Sequence, residues 1–157
     1  MIKNKKIIKL LVTLLFLAYI FVLIYYLFFS EGYGRTSVGE YRYNLVPFSE
    51  IKRYFKYFSI IGIESFMLNI VGNVVAFVPF GLLIPIIAKG YRKFFIILFD
   101  GIMFTVIIES VQLILKVGSF DVDDLFLNTL GGAVGYLIFL LICHFGREKY
   151  EKTKKTL

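Results

Sequence analysis

Four long apolar runs, at residues 7–29, 66–88, 94–115 and 124–145, occupy most of a chain of 157 residues. At ~1.5 Å of rise per residue, each is long enough to cross a hydrocarbon layer about 30 Å thick as a helix. Composition agrees: 59% of the residues are hydrophobic and 18% aromatic, whereas an ordinary soluble domain is about 45–50% apolar. A water-soluble core of this size could not bury that excess. The expected fold is all-α, a polytopic membrane protein with a bundle of four transmembrane helices and an interfacial helix in its first outer loop.

The first run follows a short basic segment, MIKNKK. It is longer than the ~7–15-residue core of a signal peptide, and no small-residue cleavage motif follows, so it reads as a retained anchor. Tyr25, Tyr26, Phe28 and Phe29 stand at its far end, where an aromatic belt would lie. Residues 30–65 are the longest polar stretch and carry Gly32, Gly34 and Gly39. After Pro47, the apolar Ile51, Tyr54, Phe55 and Phe58 recur at helical spacing while Lys52, Arg53 and Lys56 take the other side. That pattern fits a short helix on the membrane surface and equally a solvated loop helix. In the second run, Pro79 and Pro85 predict a kink whose freed carbonyls neighbouring helices can satisfy.

The net charge of +7 lies between the apolar runs rather than along a soluble face, which points to topology and away from a nucleic-acid partner. Four basic residues precede or open the first run, three occupy 89–93 and five the tail, against five spread over 30–65 and one in 116–123. The positive-inside rule therefore predicts a multi-pass membrane protein with both termini and the 89–93 turn cytoplasmic. The single Cys143 excludes an intramolecular disulfide.

Polar residues inside such runs are costly, and they mark candidate functional positions. Asn69, Gly72, Asn73 and Ala76 share one face of the second run, and Gly101, Thr105, Glu109 and Gln112 one face of the third. The fourth opens with Asp124, Asn128, Gly131, Gly132 and Gly135 on a face where Gly131-xxx-Gly135 permits close helix approach. Counted from the outer ends, the polar members of all three stripes fall roughly 5–10 Å deep. They predict one polar cluster in the outer leaflet, roofed by Asp121, Asp123 and Asp124 and by residues 44–49. The candidate ligand-binding set is Asn69, Asn73, Glu109, Gln112, Asp121, Asp123, Asp124 and Asn128.

For the amides, interhelical glue at ~0.6 kcal/mol per contact is the competing explanation. Glu109 is the candidate acid or base if any reaction occurs, and it is expected to be protonated or bonded to an amide rather than ion-paired. The D-V-D-D turn at 121–124 could attract a hard cation, but it lacks a twelve-residue calcium loop, and capping of the fourth helix explains it as well. No metal or cofactor is expected. Asp100, on the opposite side of its helix from Glu109, is expected to pair with Arg92, Lys93 or His144. His144 beside Cys143 is weak evidence for a metal or catalytic site.

These residues fall into motifs: N-L-x-P-F at 44–48, N-x-x-x-N-x-x-x-F-x-P-F-G at 69–81, E-x-x-Q at 109–112 and F-D-x-D-D-x-x-x-N-T-x-G at 120–131. Together they resemble the VanZ-like family of small bacterial membrane proteins over residues 44–143. On that resemblance, 1–43 would be an N-terminal anchor and outer loop, 44–143 the family domain and 144–157 a charged cytoplasmic tail. Family members often carry an Arg just before the acidic turn; Gly118 and Ser119 stand there in this chain. The resemblance implies association with low-level resistance to the lipoglycopeptide teicoplanin. Three function classes stay open. The first is a non-enzymatic envelope protein that binds or shields a lipid-linked headgroup, with a cell-wall precursor or lipoglycopeptide as partner beside the lipid bilayer. The others are an intramembrane enzyme using Glu109 and a small transporter or proton relay, which would need a homo-oligomer to line a path.

Overall fold

The computed structural model describes residues 2–29 and 41–156, with side chains over 6–29 and 41–146. The three glycines of the first loop and the basic side chains of the tail lie outside those limits. Helix α1 (Ile2–Phe29) is followed by a short strand β1 (Arg42–Asn44), then α2 (Ser49–Lys56), α3 (Phe58–Ile61) and α4 (Ile63–Phe66). A five-residue π-helical segment (Met67–Val71) joins α4 to α5 (Gly72–Ile87). After a 3-10 turn come α6 (Phe94–Leu115), β2 (Ser119–Asp121) and α7 (Val122–Thr156).

Four segments, Lys6–Phe29, Ile63–Ile87, Phe94–Leu115 and Val122–Gly146, are long and apolar enough to cross a membrane. They correspond to the four expected spans, with the second and fourth beginning two or three residues earlier than the hydropathy pattern suggests. The protein is thus an all-α polytopic membrane protein. The two three-residue strands, which pair in parallel, carry no apolar periodicity of their own and were not expected. α2 occupies the place predicted for the surface helix. Its Ile51 and Tyr54 are half-buried against the protein, whereas its Phe55 and, in α3, Phe58 are exposed and set edge-on against Phe66.

The bundle is organised by the close apposition of α5 and α7. A Cβ added at Gly131 would come to 2.1 Å from the carbonyl oxygen of Val74, and one at Gly135 to 2.0 Å from that of Val78. From the other side, a Cβ at Gly81 would sit 1.9 Å from the carbonyl oxygen of Gly132. Three glycines therefore lie directly on three backbone carbonyls, a contact that van der Waals attraction and weak Cα–H···O bonds sustain where lipid supplies no hydrophobic drive between helices. Of the expected glycine face, Gly132 takes part through its carbonyl, with open space where its own Cβ would lie.

α5 runs on through both Pro79 and Pro85. The hydroxyl of Tyr19 donates to the carbonyl of Ala76 at 2.8 Å, fastening α1 to α5. Phe80 and Phe104 stack at 5.4 Å between centroids, joining α5 to α6 beside Gly101. At the far end Ile97, Tyr136 and Phe139 form a buried cluster with Leu82, Ile84 and Ile86 packed on it. There Arg92 donates from Nε to the carbonyl of Pro85 at 3.0 Å, one of the acceptors left open where α5 stops. Tyr136 in turn donates to the carbonyl of Arg92 at 2.6 Å.

Replacing Gly135 by Leu should disrupt the bundle, because overpacking a fixed backbone contact costs about 1–3 kcal/mol or more. Leu140→Ala, at an exposed position, should stay within about 0.5 kcal/mol. Thermal unfolding of both variants in detergent checks this; equal stability would show that the glycine face carries no packing.

Candidate functional site

The site is assembled at the end of the bundle where α6 turns back into α7. α6 stops in a left-handed turn at Lys116 (φ 57°), where the amide of Val117 reaches the carbonyl of Gln112 at 3.0 Å and that of Lys116 reaches Leu113 at 3.1 Å. This is a Schellman arrangement carried by a residue other than glycine. The next residues form β2 and pair with β1 in the register Arg42 with Ser119, Tyr43 with Phe120 and Asn44 with Asp121. Asn44 turns the loop after β1: its Oδ1 accepts from the Val46 amide at 3.1 Å while its Nδ2 donates to Asp121 Oδ1 at 3.1 Å.

Each aspartate of the acidic turn has a separate task. Asp121 caps its own helix, its Oδ1 accepting from the Asp123 amide at 2.8 Å, and its backbone N–H donates to Glu109 Oε2 at 3.1 Å. Burial pushes the Asp121 carboxyl above the usual aspartate range, against the Asp123 amide and Asn44, which pull it down. Asp123 is 1% exposed and reaches across to another helix: Oδ1 accepts from the Phe48 amide, and Oδ2 from those of Glu50 at 2.8 Å and Ile51 at 3.1 Å. It thus supplies the N-terminal cap of α2, whose own cap position, Phe48, is left-handed (φ 62°) and offers no side-chain acceptor. Asp124 Oδ1 accepts from Asn73 Nδ2 at 2.5 Å, linking α7 to α5.

Behind this turn lies a chamber of about 230 Å³. All eight residues singled out in the sequence line it: Asn69, Asn73, Glu109, Gln112, Asp121, Asp123, Asp124 and Asn128. Among the amides, two of the bonds cross between elements. Asn73 meets Asp124, and Gln112 Nε2 donates to the carbonyl of Leu27 at 2.8 Å, tying the end of α1 to α6. Asn69 instead bonds back to the carbonyl of Ser65 at 2.8 Å within its own segment. Asn128 is 3% exposed and its Oδ1 has no hydrogen-bond partner. Glu109 meets an amide, that of the Asp121 backbone, rather than a cation.

Sequence reasoning missed Arg42, Glu50, Arg53 and Tyr54, which also line the chamber. All four come from the segment outside the apolar runs, where charge is ordinary and carries no signal. Arg53 is ion-paired with Glu50 one turn earlier. Arg42 pairs in register with Ser119, just ahead of the acidic turn, and both line the chamber. Burial also holds the Tyr54 hydroxyl firmly protonated, so it remains a donor at the wall.

Among the described residues, no three of the acidic, His or Cys side chains are placed to hold a metal ion. Asp100 departs from expectation. Its Oδ2 is buried without a hydrogen-bond partner, and the one ion pair among the described residues is Arg53 with Glu50. Arg92 is drawn instead to the Pro85 carbonyl, because the end of a helix presents an open acceptor within its reach. Cys143 is exposed, and the His144 ring lies against Phe145 at 5.7 Å.

Four membrane-spanning helices that enclose a polar chamber at one end define a class: a small polytopic membrane protein with a polar site among its spans. Residues 16–143 match the VanZ/LLP1 family, and the chain belongs to it. It is similar to Protein VanZ of Enterococcus faecium, with 28% identity over 141 residues, covering 85% of this chain and 77% of that protein. No solved structure matches the chain.

Asp123→Ala should loosen α2, since it removes an acceptor from three backbone amides, and a bond to a charged acceptor contributes about 1.5–3 kcal/mol net of water. Hydrogen exchange at Glu50 and Ile51 should accelerate at least tenfold while amides in the middle of α5 stay protected. Unchanged exchange at those two amides would show that α2 stands without this cap.

Proposed function

We propose that the protein binds or shields a lipid-linked headgroup of the bacterial cell envelope without chemically altering it. The observation that carries this reading is the chamber itself: a polar cavity of about 230 Å³ lined from all four spans and roofed by a loop helix. A ligand with a polar head and an acyl or prenyl tail fits such a place, the head in the chamber and the tail in lipid. A cell-wall precursor answers to that description, and so does the lipoglycopeptide teicoplanin. Low-level teicoplanin resistance is the phenotype that this reading anticipates.

The same reading orients the protein in the cytoplasmic membrane with both termini and the 89–93 turn inside and the chamber facing outward. The distribution of basic residues along the chain supports it. Reporter fusions at Ser119 should report an external position and fusions after residue 157 an internal one; the reverse pattern would overturn the orientation.

Mass spectrometry of the lipids kept by the purified protein tests the binding. The wild type should retain a defined lipid-linked headgroup that Glu109→Gln and Asn128→Ala each lose, with little further loss in the double variant, as for residues that act as one unit. Retention of bulk membrane lipid alone, the same in all four proteins, would overturn the reading. A covalently altered lipid that disappears with Glu109→Gln would favour an intramembrane enzyme with Glu109 as acid or base.

A further inference from the structure

The hydrogen bonds around the chamber leave its wall with acceptors to spare. Asn73 spends a donor on Asp124, Gln112 on Leu27 and Asn69 on Ser65, all of them protein atoms. Glu109 engages Oε2, Asp121 Oδ1 and Asp124 Oδ1, and among the described residues no hydrogen bond reaches the second oxygen of any of the three. Asn128 Oδ1 is buried beside them without a donor, although a buried polar group left unpaired costs about 1–3 kcal/mol. Three acids in one cavity also repel one another. At Glu109, Asp124 and Asn128 the floor of the chamber therefore presents unengaged acceptors and no cation.

The cations stand elsewhere. A second, more open cavity of about 480 Å³ adjoins the chamber, and the two share Arg42, Glu50, Arg53, Ser119 and Asp121. Both guanidiniums are therefore at the neck between them. Of the two, Arg53 already has Glu50, which among the described residues leaves Arg42 as the neck's uncommitted fork, a geometry suited to phosphate oxygens. The arginines thus stand at the neck, beside Glu50 and Asp121, and the unengaged acceptors of Glu109, Asp124 and Asn128 lie deeper in the chamber.

Building on the headgroup reading above, we infer that the ligand is a phosphate ester carrying a primary amine, with its phosphate at Arg42 and Arg53 and its ammonium against Glu109, Asp124 and Asn128. A protonated amine has three donors to divide among separated acceptors. A divalent cation would need ligands converging on one point, and no three acidic, His or Cys side chains among the described residues do so. A volume of 230 Å³, against a share of about 30 Å³ for a water molecule, admits a small headgroup and excludes a whole lipid. A quaternary ammonium brings no N–H donor, and a glycerol headgroup brings no charge, so both should be discriminated against.

The test uses the purified full chain in detergent, titrated with dioleoyl phosphatidylethanolamine, phosphatidylcholine and phosphatidylglycerol and with soluble O-phosphoethanolamine, and read by native mass spectrometry. Phosphatidylethanolamine should bind about tenfold or more tightly than the choline and glycerol lipids, the scale of one lost charge-assisted hydrogen bond. Glu109→Gln, close in shape, should erase that preference without weakening phosphatidylcholine. Arg42→Gln should weaken all three lipids alike, because each carries the phosphate. Each variant's melting temperature guards against misfolding, and Asn128→Asp, which adds a second acceptor oxygen, should retain the preference. Binding of O-phosphoethanolamine as tight as that of its lipid supports the chemistry and assigns it to a soluble source. Equal binding of all three lipids overturns the amine inference while sparing the headgroup reading; no retained lipid and no bound O-phosphoethanolamine overturns both.

Discussion

One buried carboxylate, that of Asp123, holds the loop end of the protein together. Three amides at the start of α2 have no partner in their own segment, and a short helix with its N-terminus unsatisfied would fray. Asp123 meets all three from the first turn of α7. The carboxylate therefore fixes where α2 begins, and through Ile51 and Tyr54 it fixes one wall of the chamber. Its neighbours follow from the same constraint: Asp121 can cap α7 and reach Asn44 only while the loop is drawn down, and Asn44 pairs with it across the two short strands. An acidic turn that resembles a cation site in sequence is, in structure, mostly engaged in holding backbone.

What the sequence conveyed and what it withheld divide along the lipid boundary. Inside the apolar runs a polar side chain is conspicuous because burying it is costly, so Asn69, Asn73, Glu109, Gln112 and Asn128 were legible, and helical periodicity placed them on common faces. Gly131 and Gly135 were legible for a related reason, since glycine in a helix interior needs a packing partner to offset its conformational cost. Outside the runs that contrast vanishes. Arg42 and Arg53 look like any loop cations, and the pairing that brings Arg42 to Ser119 links positions 77 residues apart through strands of three residues. The division of labour among the three aspartates was equally hidden, because it depends on which amides the fold leaves open nearby.

Asp100 shows the opposite failure. Counting along the helix puts it on the side away from Glu109, and proximity in sequence makes Arg92 a natural partner. Arg92 faces competing acceptors, however, and the carbonyl of Pro85 at the end of α5 takes it, with Phe139 packed on its guanidinium at 5.8 Å. A sequence lists charges but not the backbone groups that compete for them.

The seam between α5 and α7 has a mechanical consequence. Because Gly81, Gly131 and Gly135 rest on carbonyl oxygens at separations that no Cβ could occupy, a small slide of one helix along the other would drive a neighbouring side chain into the opposite backbone. A slide of a whole four-residue step, about 6 Å, is the least that restores a similar match. The two helices therefore behave as a ratchet locked in one notch, and they form the fixed post of the molecule. Freedom to admit anything of appreciable size belongs to α2, which is fastened to that post at Asp123, and to the end of α1, which is tied to α6 at Gln112. The site is a rigid floor beneath a light, separately fastened cover.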